Sequence, residues 1–194
     1  MEDAKRTMTN FNIWQGERVR LRAVESSDWE AFHRNDEDSE EARLCYWIPF
    51  PRSTDGSRKW VEESAHAAPV NDAFHWAIES SQGELVGSMN TMDTSSRNGT
   101  FSYGLAIFRP HWRKGYAAEA IRILLRYYFR EMRYQKCTVR VYGFNEPSLK
   151  LHERLGFQVE GRLRRMIYTG GQFHDEIQLG ITAEEFAALD RAAH

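Results

Sequence analysis

The stretch from Thr100 to Val141 constrains the fold most. Ala117, Ala120, Ile121, Leu124, Leu125 and Tyr128 fall at i, i+3, i+4, i+7, i+8 and i+11, while Arg122, Arg126 and Arg130 fall on the other side. That spacing predicts an amphipathic helix laying one face on a sheet. A strand-like run, residues 100–108, precedes it. In the run that follows, Cys137, Val139 and Val141 alternate with Thr138, Arg140 and Tyr142, the period of a half-buried strand. A helix held between two strands calls for a mixed α/β architecture.

The rest of the chain reads in the same terms. Val19, Leu21 and Ala23 alternate with Arg18, Arg20 and Arg22, a strand. Ser26 or Ser27 caps a helix with Asp28 and Glu30 in its first turn. Pro49 and Pro51 interrupt the chain, and Ser53 or Thr54 caps a second helix carrying Trp60, Val61, Ser64 and Ala65 on one side. Residues 74–79 and 84–92 are strands joined through Ser81-Gln82-Gly83, and Asn98-Gly99 turns the chain into residues 100–108. A short helix follows Val141, with Pro147 in its first turn and Gly156 at its end. Residues 163–168 and 173–181 flank Thr169-Gly170-Gly171-Gln172, a closing hairpin. Phe173, Asp175, Ile177, Leu179 and Ile181 share one of its faces, and Asp175 is the only polar member. Residues 1–15 are patternless and read as a tail, and residues 16–194 as a single domain.

Composition narrows the function classes. A chain of 194 residues with 41% hydrophobic content and a formal charge of −2 is neither disordered, collagen-like nor a disulfide scaffold. Its two cysteines, Cys45 and Cys137, fit a reducing, cytoplasmic setting. No apolar run reaches the roughly 18 residues of a membrane span, and the first residues lack the apolar stretch of a signal peptide, so no membrane partner is expected. Near-neutral charge argues against a dedicated nucleic-acid binder.

Two constellations carry chemistry. Trp112-Arg113-Lys114-Gly115-Tyr116-Ala117-Ala118-Glu119 spans the start of the amphipathic helix. A helix start offers unpaired N–H groups and partial positive charge. Gly115 allows close approach, Ala117 and Ala118 leave the first turn open, and Arg113 and Lys114 add charge. The set suits a phosphate or pyrophosphate. Equally, Gly115 serves only the turn and the basic residues are solvated. The second constellation runs from Asn145 to Phe157. Asn145 caps the helix, and Ser148 and His152 lie four apart on one face. Leu151 and Leu155 are assigned to the core, which turns Ser148 and His152 toward the sheet edge or solvent. The plain alternative is a capped helix with a surface histidine.

Together these motifs resemble the GNAT acyltransferase superfamily of acetyl-CoA-dependent N-acetyltransferases. The first matches the family's Arg/Gln-x-x-Gly-x-Gly/Ala loop, with Trp112 at the Arg/Gln position, as in the branch resembling the ribosomal-protein N-acetyltransferases RimJ and RimL. The second matches Asn-x-x-Ser-x-x-x-Tyr-x-x-x-Gly-Phe, with His152 at the tyrosine position. The end of this region and Gly171-Gln172-Phe173 also resemble spermidine acetyltransferases. The resemblance implies a mostly antiparallel sheet splayed between two parallel strands and flanked by helices, with acetyl-CoA in the cleft and no metal. Leu105, Ala106 and Ile107 would meet the pantetheine arm. Residues from Trp112 through Arg113, Lys114, Gly115, Tyr116 and Ala117 to Ala118 would hold the pyrophosphate, and Asn145 and Ser148 would contact the arm. The partners implied are acetyl-CoA and an amine acceptor, with the protein a monomer or homodimer.

An amine attacks a thioester as the free base, and an alkyl ammonium has a pKa near 10.4. The leaving thiolate takes a proton. The family's usual donor is a tyrosine, so His152 is expected in that role. The family's usual base, a glutamate on the strand before the loop, falls at Ser102, and residues 100–113 hold no carboxylate. Glu41, His75, Glu79, Glu84 and Asp93 remain as unranked candidates. Glu25 to Glu41 carries eight carboxylates and one arginine, while Arg109 to Arg133 carries seven basic and two acidic residues. The acidic segment draws a cationic acceptor such as a polyamine, a lysine or a protein N-terminus, or is simply a solvated helix end. Trp29, Phe32, Tyr46, Trp47, Phe50 and Trp60 line an acceptor pocket or belong to the core. A catalytically reduced CoA-binding regulatory module, and a nucleic-acid binder using Arg109, Arg113, Arg122, Arg126 and Arg130, are the alternatives.

Overall fold

A computed structural model describes residues 12–45 and 48–192. Residues 1–11 of the expected tail, and Tyr46 and Trp47 of the aromatic set, lie outside the described residues. The chain runs β1 (Val19–Ala23), α1 (Trp29–Asp36), α2 (Ser39–Cys45), α3 (Thr54–Ala65), β2 (His75–Ser80), β3 (Leu85–Ser95), β4 (Thr100–Ile107), α4 (Tyr116–Arg130), β5 (Lys136–Tyr142), α5 (Glu146–Arg154), β6 (Gln158–Thr169), β7 (Gln172–Thr182) and α6 (Ala183–Ala192), with short 3-10 turns at Ser26–Asp28 and Arg109–His111. The seven strands form one sheet in the order β1-β2-β3-β4-β5-β7-β6, and only β4 and β5 run parallel. This is the mixed α/β sheet expected from the sequence.

Alternation sorts the side chains onto two faces. On one face Trp76, Ile78, Phe101, Tyr103, Cys137, Val139, Val141, Leu179 and Ile181 pack under α4, α5 and α6. Ile121, Leu124, Leu125 and Tyr128 supply the α4 side of this core. The other face buries Ala77 and Phe108 against Phe32 of α1 and Val61 of α3, with Trp29 and Trp60 packed on that cluster. Phe32 is therefore a core residue, Trp29 and Trp60 are half-buried against it, and Phe50 is 96% exposed rather than lining a pocket.

Several expectations change on contact with the fold. The N-cap of the first helical segment is Glu25, in a capping box with Asp28, not Ser26 or Ser27. Ser53 does cap α3, accepting from the Gly56 N–H. The acidic segment folds into two helices, α1 and α2. Trp14, inside the expected tail, packs on Tyr127 and Trp76 with centroids 4.3 and 5.6 Å apart, so the packed chain begins before Gly16. Phe173 is exposed. Asp175 lies where the apolar face of β7 gives out, accepting from Arg162 Nε at 2.6 Å and from the Arg165 N–H at 2.9 Å, which braces a bulge in β6. Arg126 and Arg130 are not simply solvated, since both pair at 2.7 Å with buried Asp190 of α6.

Candidate active site

The site begins where two parallel strands part. β4 and β5 pair only from Thr100–Lys136 to Ser102–Thr138. Beyond that row β4 stays with β3 and β5 stays with β7. The Phe108 N–H donates to the Val86 carbonyl, so even-numbered residues of β4 turn their polar backbone groups toward β3. By alternation, Leu105 and Ile107 turn theirs into the gap. The Ile107 carbonyl accepts from the Trp112 indole, and the Leu105 carbonyl from the Cys45 thiol at 3.9 Å. The N–H groups of Leu105 and Ile107 therefore face the gap. Ala106, grouped with them from the sequence, directs its backbone into the β3 ladder instead, because the pleat alternates.

The loop after β4 presents donors. Gly115 is the left-handed N-cap of α4 at φ +83°, and Arg113 is also left-handed at φ +62°. The N–H groups of Tyr116, Ala117 and Ala118 start the helix and have no carbonyl four residues back to take them. Arg113, Lys114 and Gly115 are exposed. Arg18 of the chain leading into β1 adds a charge that the motif does not reveal. Its guanidinium donates to the Lys114 carbonyl at 3.2 Å and lies where a side chain on Gly115 would sit. Glu119 anchors this corner by accepting from the N–H groups of Glu17, Arg18 and Val19 at 3.0, 2.8 and 2.7 Å.

The other wall is α5. Asn145 accepts from the Ser148 N–H at 3.2 Å and donates through Nδ2 to the Leu44 carbonyl at 3.1 Å. The C-terminal end of α2 thus touches both walls, Cys45 at β4 and Leu44 at α5. His152 is buried at 5% exposure, contrary to the outward orientation expected from Leu151 and Leu155. The buried stripe of α5 runs through His152 and Leu155, and Leu151 is only half-buried. His152 Nδ1 lies 2.8 Å from the Ser148 carbonyl and must carry the proton there. Nε2 then accepts from the Tyr103 hydroxyl at 2.9 Å. Burial holds the His152 pKa below the usual imidazole range and pushes the Tyr103 hydroxyl well above its own.

Residues 18–158 match the acetyltransferase (GNAT) domain. The chain belongs to the GNAT acetyltransferase family. The uncharacterised N-acetyltransferase YokL of Bacillus subtilis strain 168, derived from prophage SPbeta, is 43% identical over 173 residues, spanning 89% of this chain and 94% of that one. A GNAT-family acetyltransferase structure from Bacillus anthracis superposes with a TM-score of 0.73 at 26% identity, covering 88% of this chain and 98% of that one. A Vibrio cholerae spermidine N-acetyltransferase, solved with CoA and spermine, shares the fold with a TM-score of 0.75 at 21% identity, covering 89% and 99%.

Within this GNAT domain the fold ranks the base candidates. Ser102 is buried on β4 and carries no carboxylate. Glu79 is held by Arg20 and Arg22. Asp93 pairs with Arg140 at 3.3 Å. Glu84 is exposed beside the β2–β3 turn. Glu41 is 2% exposed. One of its oxygens accepts from the Arg109 N–H at 2.9 Å and the other is buried without a partner. Burial pushes its pKa up to about 7, with the Asp38 charge adding to the rise. His75 lies between Phe32 and Trp60, and burial lowers its pKa. Much of the acidic segment is neutralised within the fold, through Asp28–Arg22, Asp36–Arg52, Asp38–Arg109 and Glu40–Arg43. Among the described residues no group of three or more His, Cys, Asp and Glu is arranged to hold a metal ion.

Proposed function

We propose that this GNAT domain is an acetyl-CoA-dependent N-acetyltransferase acting on a primary amine, a protein N-terminus, a polyamine or another small amine. The parted edge of β4, bounded by the donor-rich start of α4, carries this reading. The residues fit the donor. Tyr116, Ala117 and Ala118 offer backbone N–H groups, and Arg113, Lys114 and Arg18 offer charge, to a pyrophosphate. Gly115 leaves room for its approach and Trp112 fastens the loop to β4. Leu105 and Ile107 offer N–H groups to an amide-bearing arm, and one of these suits a polarised thioester carbonyl. Ser148 and Asn145 border the same gap. Bound acetyl-CoA supplies an activated acyl thioester.

The transfer forms a C–N bond and breaks the C–S bond, while nitrogen loses a proton and sulfur gains one. His152 is the residue we assign to that proton. Its resting Nε2 bears none, so it acts as a relay that is charged during turnover rather than as a standing donor. Relatives that are spermidine N-acetyltransferases, one solved with spermine, support a cationic amine here. The two free cysteines suit a reducing cytoplasm, where we place the enzyme. The alternative, a CoA-binding regulatory module, draws on Ser102 at the usual glutamate position.

Calorimetry with acetyl-CoA, then mass spectrometry after incubation with polyamines, aminoglycosides, amino acids and N-terminal peptides, tests the proposal. Acetyl-CoA binding and a mass gain on one amine class are expected. Absence of acetyl-CoA binding would sink it, and binding without any acetylated product would favour the regulatory module.

A further inference from the structure

Among the described residues, buried carboxylates are answered by a cation or an N–H group, with one exception. Asp28 meets Arg22, Glu79 meets Arg20 and Arg22, Asp190 meets Arg126 and Arg130, and Glu41 meets the Arg109 N–H. Glu176 of β7 is 8% exposed, and its carboxylate makes no hydrogen bond or ion pair among the described residues, although its backbone is paired in the sheet. Taking a charge from water without a partner is costly. Such an arrangement holds when a cation completes it.

Its position says where that cation comes from. Glu176 lies opposite Tyr142, the last residue of β5, and opposite Leu163 of β6. Ile177, Leu179 and Ile181 point into the core under α4–α6, so Glu176 points to the other face. Register carries that face across the sheet through Gly180, Thr138 and Ser102 to Gly104, Asn90 and His75. It is the face beside the parting of β4 and β5. Asn90 lies directly over Gly104, with Oδ1 2.8 Å from where a side chain on Gly104 would begin.

We infer that Glu176 anchors the acceptor, binding the incoming primary ammonium beside the end of β5 until it gives up its proton. This rests on the proposed function and names the site's preference: a cationic amine held by β7 rather than by the acidic segment, where four of the eight carboxylates already pair with arginines. An alkyl ammonium is almost fully charged at neutral pH.

The probe is n-butylammonium, with n-butanol as the uncharged control, added to protein saturated with CoA and to protein alone. The side-chain carboxyl of Glu176, followed by carbon NMR and assigned by its loss in Glu176→Gln, is expected to shift saturably with n-butylammonium and not with n-butanol. Glu176→Gln is expected to bind the ammonium about tenfold more weakly, near 1.4 kcal/mol, with CoA affinity unchanged. Glu176→Asp, which keeps the charge and moves it by one carbon, is expected between the two and serves if the Gln variant fails to fold. An unmoved Glu176 resonance, or equal ammonium binding in the variants, overturns the inference. Loss of CoA binding in the wild-type protein would instead overturn the proposed function.

Discussion

The Tyr103 hydroxyl donates to Nε2 of His152 across 2.9 Å, joining the strand at the parting of the sheet to the helix on its far wall. The Ser148 carbonyl fixes the imidazole from behind by taking Nδ1–H at 2.8 Å. Every polar atom of the ring is thereby used, which lets a histidine occupy a buried position as a neutral group.

His152→Ala leaves the Tyr103 O–H buried without an acceptor and opens a cavity. A loss of about 2–4 kcal/mol is expected in denaturant unfolding. Tyr103→Phe removes one bond and is expected to cost about 1 kcal/mol. Turnover separates the two roles. The relay assignment expects about a 100-fold fall in kcat for His152→Ala and only a few-fold change for Tyr103→Phe. Equal losses in both would mean that the pair acts through packing alone.

Stability is expected to fall on mild acidification. His152 and His75 both have folded pKa values below the unfolded value near 6.5, because burial disfavours their charged forms. Below pH 6.5 the unfolded chain binds these protons first, so unfolding becomes easier as pH falls toward the folded values. Each histidine contributes at most about 1.4 kcal/mol per pH unit in that window. Chemical denaturation between pH 7 and 5 measures it, and His75→Gln is expected to flatten part of the slope.

Glu41 works in the opposite sense. Its folded pKa of about 7 lies above the ordinary glutamate value of 4.5, so the folded state favours the protonated carboxyl. That advantage is complete below the unfolded pKa and disappears as pH rises through 7. Glu41→Gln keeps an acceptor for the Arg109 N–H without the charge. It is expected to gain about 1–3 kcal/mol relative to wild type between pH 5 and pH 8, read from urea midpoints at the two pH values. A gain that does not depend on pH would contradict the cause.

How much of this was legible in the sequence depended on range. The strands, α4 and the Asn145-capped α5 follow from alternation, helical spacing and local caps, all contained within a few residues. Even α6 had a local signal. Thr182 and Glu185 form a capping box, the Thr182 N–H donating to Glu185 at 2.8 Å and the Glu185 N–H to Thr182 at 3.3 Å, a cue that the strand alternation ending at Ile181 overshadows. The placement of His152 was missed because a four-residue spacing identifies a stripe without saying which stripe faces the sheet. The arginine pairs of Asp38, Glu79 and Asp190 span 57 to 71 residues, and no local pattern announces them. Glu176 has no signal in the sequence, since its isolation depends on what does not reach it.

Gly115→Ala places a side chain at φ +83° and against the Arg18 guanidinium. The backbone strain is about 1–2 kcal/mol, and relief by rotating the loop moves the N–H groups of α4. Acetyl-CoA affinity is expected to fall about tenfold by calorimetry, with the unfolding midpoint shifting only slightly. A full-affinity variant would place the pyrophosphate elsewhere.

One amide bridges the gap from above. Because Asn145 caps α5 with its oxygen and holds Leu44 with its nitrogen, the start of one wall and the end of α2 are one mechanical unit. The two edges of the opening are therefore tied through α2, which reaches β4 by Cys45 and α5 by Leu44, so a substitution that loosens α2 is expected to loosen both edges together.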